Sequence, residues 1–81
     1  MPRYLVEAYC TESAEGTARG ERLTAAGAVV LSSIFVPSDQ LSLHLFEAPS
    51  LEAAREVARA AAIAYARIVE TVESEIGGVK E

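Results

Sequence analysis

A single cysteine, Cys10, rules out an internal disulfide, and tryptophan is absent altogether. No positively charged segment followed by an apolar run opens the chain, so nothing in it reads as a secretory signal and a cytoplasmic protein is expected. Basic residues are scarce: seven Lys and Arg against twelve Asp and Glu give a net charge of −5 and a pI near 4.8. Nucleic-acid binding relies on clustered Lys and Arg that displace counterions from phosphates. Here Arg19, Arg22, Arg55, Arg59 and Arg67 are interleaved with Glu, so no nucleic-acid partner is expected. Long hydrophobic runs are missing too. The most apolar stretch, residues 25–36, is interrupted by Gly27, Ser32 and Ser33 and falls short of the roughly 20 residues a bilayer span needs. A membrane partner is excluded on that ground. Glycine-rich phosphate loops, a Ser-His-Asp order and paired-cysteine zinc patterns are all lacking, and no catalytic residue, metal ligand or cofactor is assigned.

What is present suits a small folded domain. Apolar residues make up 51% of the chain and charged residues 23%, a globular balance. At 81 residues it forms one domain that buries only about 60% of its unfolded surface. Pairing with a second copy would remove more apolar area from water, at roughly 25 cal/mol per Å², so a homodimer is expected.

Along the chain, residues 2–9 alternate as a strand does, with Tyr4, Val6 and Ala8 on one face and Leu5, Glu7 and Tyr9 on the other. Thr11 offers an N-cap for a first helix, with Glu12 and Glu15 at its dipole-positive end and Gly27 as its left-handed C-terminal cap. Gly16 and Gly20 weaken that helix by about 1 kcal/mol each relative to alanine, and their spacing puts both on one face, where close approach to a sheet or a ligand becomes possible. Residues 29–36 and 41–48 read as a hairpin around the turn residues Pro37, Ser38, Asp39 and Gln40. In its second strand Leu41, Leu43 and Leu45 share a face, expected to meet the helices, while Ser42, His44 and Phe46 share the other. Ser50 caps a second helix with an apolar stripe of Ala54, Val57, Ala58, Ala61 and Tyr65. Residues 64–76 are ambiguous. Tyr65, Ile68, Val72 and Ile76 continue the helical spacing, yet Ile68, Val69, Thr71 and Val72 are a β-branched cluster suited to a strand. A domain over residues 1–76 and a short mobile tail at 77–81 are expected.

Four segments carry a resemblance: Met1-Pro2-Arg3-Tyr4-Leu5-Val6-Glu7, Ile34-Phe35-Val36-Pro37, Leu45-Phe46-Glu47-Ala48-Pro49-Ser50 and Arg67-Ile68-Val69-Glu70. Together they resemble a family of short, actinobacterial-type bacterial proteins grouped as a domain of unknown function, one branch of which is described as nickel-binding. The resemblance implies an α+β, ferredoxin-like β-α-β-β-α-β fold, with a four-stranded antiparallel-type sheet, two helices on one face and pairing into dimers. It also implies that the ambiguous segment ends in a strand. Family members carry Gly and Pro between the second helix and the last strand, where this chain has Ala62 and Ala64. The nickel-binding branch has several histidines in the first strand and around the second helix, whereas this chain has His44 alone, with Tyr9 and Cys10 at the end of strand one.

On such a fold the first and third strands are central neighbours. The face opposite the leucines would then gather Leu5, Glu7, Tyr9, Ser42, His44 and Phe46. Glu7, Tyr9, His44, Ser42 and Phe46 are the candidate ligand-binding residues, forming a small-molecule cleft on the open sheet face at a dimer interface. Glu7 beside His44 would make an acid–base pair, which opens an alternative: a cofactor-independent oxygenase, cyclase or isomerase using His44. A plainer reading of His44 and Tyr9 is polar contact across the interface. A further alternative is a nickel or other divalent site built from two copies of His44 with Glu7 or Cys10. Ser32 and Ser33 break the polarity of an apolar strand, where a serine hydroxyl ordinarily bonds to backbone or water.

Overall fold

The structure is a computed structural model, and it describes residues 1–72. The elements follow in the order β1 (Arg3–Tyr9), α1 (Ser13–Ala25), β2 (Val29–Val36), a 3-10 turn (Pro37–Asp39), β3 (Leu41–Glu47), α2 (Leu51–Ala60) and β4 (Arg67–Thr71). The strands form one antiparallel sheet in the order β2-β3-β1-β4. This is the ferredoxin-like arrangement: both helices lie on one face and the other is open. The expected tail at 77–81, and the end of the domain at 76, lie outside the described residues. Among the described residues no helix is long and apolar enough to cross a membrane.

The β-branched cluster at 68–72 does settle into a strand. β4 pairs with β1 through Val69 opposite Leu5 and Ile68 opposite Val6, and Ala66 N–H donates to the Glu7 carbonyl to start the ladder. The second helix stops early, at Ala60, because the chain turns through a left-handed residue. Ala62 has φ 58°, with its N–H on the Arg59 carbonyl and the Ile63 N–H on the Ala58 carbonyl. That pair of bonds satisfies the last carbonyls of the helix. Gly27 performs the same function at φ 104° after α1, with Gly27 N–H on Thr24 and Ala28 N–H on Leu23. Ser50 accepts from the Ala53 N–H as the N-cap of α2. At α1, Glu12 rather than Thr11 is the N-cap residue and makes no side-chain cap bond. The buried Cys10 thiol donates to the Glu12 carbonyl at 2.9 Å, which keeps the chain extended one residue further than Thr11 would require.

The core lies between the helices and the even-numbered face of the central strands. Tyr4, Val6, Ala8 and Phe46 meet Leu23 of α1 and Ala54, Ala58 and Ala61 at α2. Small alanines on α2 let its axis approach the sheet closely, with Val57 and Leu51 packing at the edges.

The expected leucine face is reversed. Register pairs Tyr4 with Phe46, Val6 with His44 and Ala8 with Ser42, so Ser42, His44 and Phe46 face the helices and are fully buried. Leu41, Leu43 and Leu45 share the open face with Leu5, Glu7 and Tyr9. Both faces of β3 carry large apolar side chains, so apolar content alone does not decide its orientation; the residues above it on α1 do.

Ala62 identifies a stability test. An L-residue in the left-handed region costs about 1–2 kcal/mol, partly offset when glycine replaces it by the greater freedom of the unfolded chain. Ala62→Gly is expected to raise stability by about 0.5–1 kcal/mol and the melting temperature by several degrees, measured by thermal denaturation. A lowered midpoint would contradict the cap geometry.

Candidate functional site

Beneath the N-terminal half of α1 the core is polar. His44 on β3 is fully buried, Ser42 is fully buried, and Arg19 on α1 is 8% exposed. Ser33 on β2 sits opposite His44 and reaches its Nδ1 at 2.9 Å. That pairing depends on an irregularity in β2. Val30 pairs with Phe46 but Ser32 pairs with Leu45, so Leu31 is an extra residue and Ser33, not Ser32, is aligned with His44. Ser32 faces the open side with Leu45.

On the far side of the ring, His44 Nε2 lies 3.2 Å from Ser42 Oγ. Ser42 Oγ also receives Arg19 Nη1–H at 3.1 Å and lies 3.3 Å from the Ala8 carbonyl oxygen. Arg19 is itself held by the Tyr9 carbonyl at 2.7 Å and the Glu15 carboxylate at 3.0 Å. Giving every contact a proton assigns one tautomer. Ser42 has one hydroxyl proton, and the Ala8 carbonyl can only accept, so Ser42 donates there. His44 Nε2–H then donates to Ser42, leaving Nδ1 bare to accept the Ser33 hydroxyl proton. This assignment gives every contact in the chain a proton, and among the described residues no buried side-chain nitrogen or oxygen lacks a partner. Burial lowers the His44 pKa below its ordinary 6.5, and the Arg19 charge lowers it further, so the ring is neutral at pH 7.

Of the two glycines facing the sheet from α1, Gly20 leaves room for the Ser33 hydroxyl, while a side chain at Gly16 would meet its neighbours at ordinary contact distance. A Cβ on Gly16 would stand 3.7 Å from Ser42 Cβ and 3.8 Å from Cys10 Sγ; one on Gly20 would stand 2.8 Å from Ser33 Oγ and 4.0 Å from His44 Nδ1. Next to this network a pocket of about 90 Å³ opens between α1 and the edge strand β2. Ser13, Gly16 and Thr17 line one wall, Ser33, Ile34 and Phe35 the other, and His44 lies behind them. Ser33 is exposed at this mouth, so the polar chain runs from solvent into the core.

The five residues expected to line one cleft do not come together. Glu7 and Tyr9 are on the open face, where Glu7 pairs with Arg67 at 3.0 Å and Tyr9 is exposed. Ser42, His44 and Phe46 are on the helix side. Glu7 and His44 therefore form no acid–base pair, because adjacent positions in the register place their side chains on opposite faces of the sheet. The donor set for nickel fails on the same ground. Both ring nitrogens of His44 are engaged by serines, and Cys10 Sγ faces the Glu12 carbonyl and, at 4.0 Å, the Glu15 carboxylate. Among the described residues no three His, Cys, Asp or Glu side chains converge, so the residues present do not fit a nickel site. Sequence reasoning missed Ser33 as a partner of His44, and Arg19 and Glu15 as the groups that follow Ser42 in the same network. The signals were there: a polar break in β2, two glycines four apart, and an Arg between them with Glu15 at the i,i+4 spacing.

No protein-family profile matches this chain, and no curated protein matches it in sequence. Among solved structures it is similar to SCO4226 from Streptomyces coelicolor A3(2), whose crystal structure superposes with a TM-score of 0.67 over 90% of this chain and 99% of that one, at 16% identity. At that identity the likeness concerns the fold alone.

Gly20→Ala tests the geometry. The new methyl drives the Ser33 hydroxyl off His44 Nδ1 and leaves that nitrogen without a donor, which costs about 1–3 kcal/mol against a helix-propensity gain of about 1 kcal/mol. In a Ser33→Ala background the obstacle is gone, and the same Gly20→Ala change is expected to stabilise by about 1 kcal/mol. Urea denaturation of the four proteins gives the coupling; additive effects would contradict the contact.

Proposed function

We propose that the chain is a homodimeric small-ligand-binding domain. Its ligand enters the pocket between α1 and β2, against Ser33 and His44, and its open sheet face pairs with a second copy. The observation that supports the ligand site is the buried chain Ser33–His44–Ser42–Arg19 ending at an open pocket. Polar groups in so small a core detract from its stability unless every one is bonded, and here the bonded set leads to the exposed Ser33 hydroxyl at a pocket mouth. A pocket of about 90 Å³ is well below the 300–1,000 Å³ that holds drug-sized ligands, so the ligand is a molecule of a few non-hydrogen atoms or the end of a longer one.

Support for pairing comes from the open face. Leu5, Leu41, Leu43, Leu45, Ile34 and Val69 form an aliphatic centre across the four strands. Its charges are already matched, Arg67 with Glu7 at 3.0 Å beside Leu43 and Arg3 with Glu47 at 3.7 Å at the strand ends. A largely aliphatic surface whose charges are already paired with one another suits a two-fold interface with an identical face. The free thiol of Cys10 is in keeping with a reducing, cytoplasmic setting.

Sedimentation and amide chemical-shift mapping test the two halves together. The protein is expected to sediment as a dimer and Leu43→Asp as a folded monomer. Titrating acetate, acetamide or dimethyl sulfoxide is expected to move Thr17, Ser33 and Phe35 and leave Leu5 and Leu43 in place. Shifts confined to the open face would overturn the ligand site, and a wild-type monomer would overturn the pairing.

A further inference from the structure

A serine hydroxyl that gives its proton to a neutral, buried imidazole is more than a ligand contact. Nucleophilic serines are recognised by geometry: the hydroxyl within hydrogen-bond reach of a base, the base held by a third group, and open space before the oxygen. All three are present. Ser33 Oγ lies 2.9 Å from His44 Nδ1, His44 Nε2–H is held by Ser42 Oγ at 3.2 Å, and Ser33 stands at the mouth of the pocket. The third group is a serine hydroxyl anchored on the Ala8 carbonyl instead of a carboxylate, so it orients the ring without adding negative charge.

We propose that Ser33 is a nucleophile with His44 as its general base, acting on small carboxylic esters whose short acyl group fits the pocket beside Ser13, Gly16 and Thr17. This rests on the reading of that pocket as the ligand site. Ser33 Oγ attacks the ester carbonyl carbon as its proton passes to His44 Nδ1. The tetrahedral adduct breaks its bond to the leaving oxygen, which takes the proton from Nδ1 and departs as the alcohol. The acyl group is then on Ser33. Water attacks the acyl carbon, gives a proton to Nδ1, and the Ser33 oxygen leaves with that proton as the carboxylic acid is released. Nothing is oxidised or reduced, and water is the second reactant. The wall facing Ser33 is the N-terminal part of α1, the positive end of that helix, on which negative charge at the carbonyl oxygen is favoured. The small volume selects acetyl-sized acyl groups over long ones.

The two glycines then acquire a chemical meaning. Gly20 leaves the room that keeps the Ser33 hydroxyl against Nδ1, and Gly16 lines the pocket with no side chain to fill it.

The test is covalent labelling of the full chain with an ethyl fluorophosphonate, followed by intact mass and peptide mapping. One adduct on Ser33 is expected, abolished in Ser33→Ala and at least about 100-fold slower in His44→Gln, the usual scale of losing a general base. If His44→Gln does not fold, Gly20→Ala keeps both residues and removes only their contact, and the same slowing is expected. Labelling of Ser13 or Ser38 in place of Ser33, or an undiminished rate in Gly20→Ala, overturns the proposal. Shift mapping with unreactive acetamide separates it from the pocket reading. Perturbation at Thr17 and Phe35 without any adduct sinks the nucleophile and leaves the ligand site standing, and no perturbation with no adduct sinks both.

Discussion

An imidazole in the middle of an 81-residue domain needs a hydrogen-bond partner at each ring nitrogen, and much of this structure follows from meeting that need. A buried polar group left unbonded costs roughly 2–7 kcal/mol on transfer from water, against a total stability of about 5–15 kcal/mol for a typical domain. His44 therefore cannot be fully buried on the sheet unless both neighbours are supplied. Ser42, two residues earlier on the same face, supplies one, and a bulge at Leu31 brings Ser33 into line to supply the other. Ser42 in turn accepts from Arg19, whose charge is matched by Glu15 and whose position on α1 requires the helix to lie close to the sheet. Gly20 is the residue on that helix that leaves room for the Ser33 hydroxyl beneath it.

The two faces of the sheet consequently differ in kind. The helix side combines an alanine-rich apolar half under α2 with a polar half under α1, and the polar half opens at the edge strand beside Ser33. The open side is largely aliphatic, with its charges, Glu7 of the central strand among them, already paired. Under the proposed function this division would keep apart two tasks that interfere on one face: self-association, which favours continuous apolar contact, and ligand chemistry, which needs a few placed polar groups and access to solvent.

Most of the architecture was legible in the sequence because each local signal agreed with the fold. The alternation in residues 3–9, the β-branched run at 29–36, the turn at Pro37, the Ser50 cap and Gly27 after α1 all act through nearest-neighbour chemistry. Likewise the β-branched residues near Val69 outweighed the helical spacing that Tyr65 and Ile68 continue, once Ala62 adopted a left-handed turn in place of the expected glycine. The orientation of β3 was not legible in the same way. Leu41, Leu43 and Leu45 are the more apolar set, and hydrophobicity assigns them inward, whereas register with β1 sends Ser42, His44 and Phe46 there instead. Such parity is set by pairing over long sequence separations. The local clue was indirect: Gly16 and Gly20 clear space above small or flat partners, and Ser42, Ser33 and an imidazole match that space better than a row of leucines. The candidate site inherited the error through His44, Ser42 and Phe46, while Glu7 and Tyr9 were assigned to the open face on which they lie.

The central claim is that His44 is a neutral imidazole carrying its proton on Nε2, with Nδ1 accepting from Ser33. Long-range nitrogen–proton correlation spectra of the histidine ring, followed from pH 8 to pH 5, read both properties at a single residue because the chain has one histidine. The Nε2–H tautomer is expected at neutral pH with a titration midpoint below 6.5, since burial and Arg19 both disfavour the charged ring. An Nδ1–H tautomer, or an imidazolium that persists above pH 6.5, would contradict it.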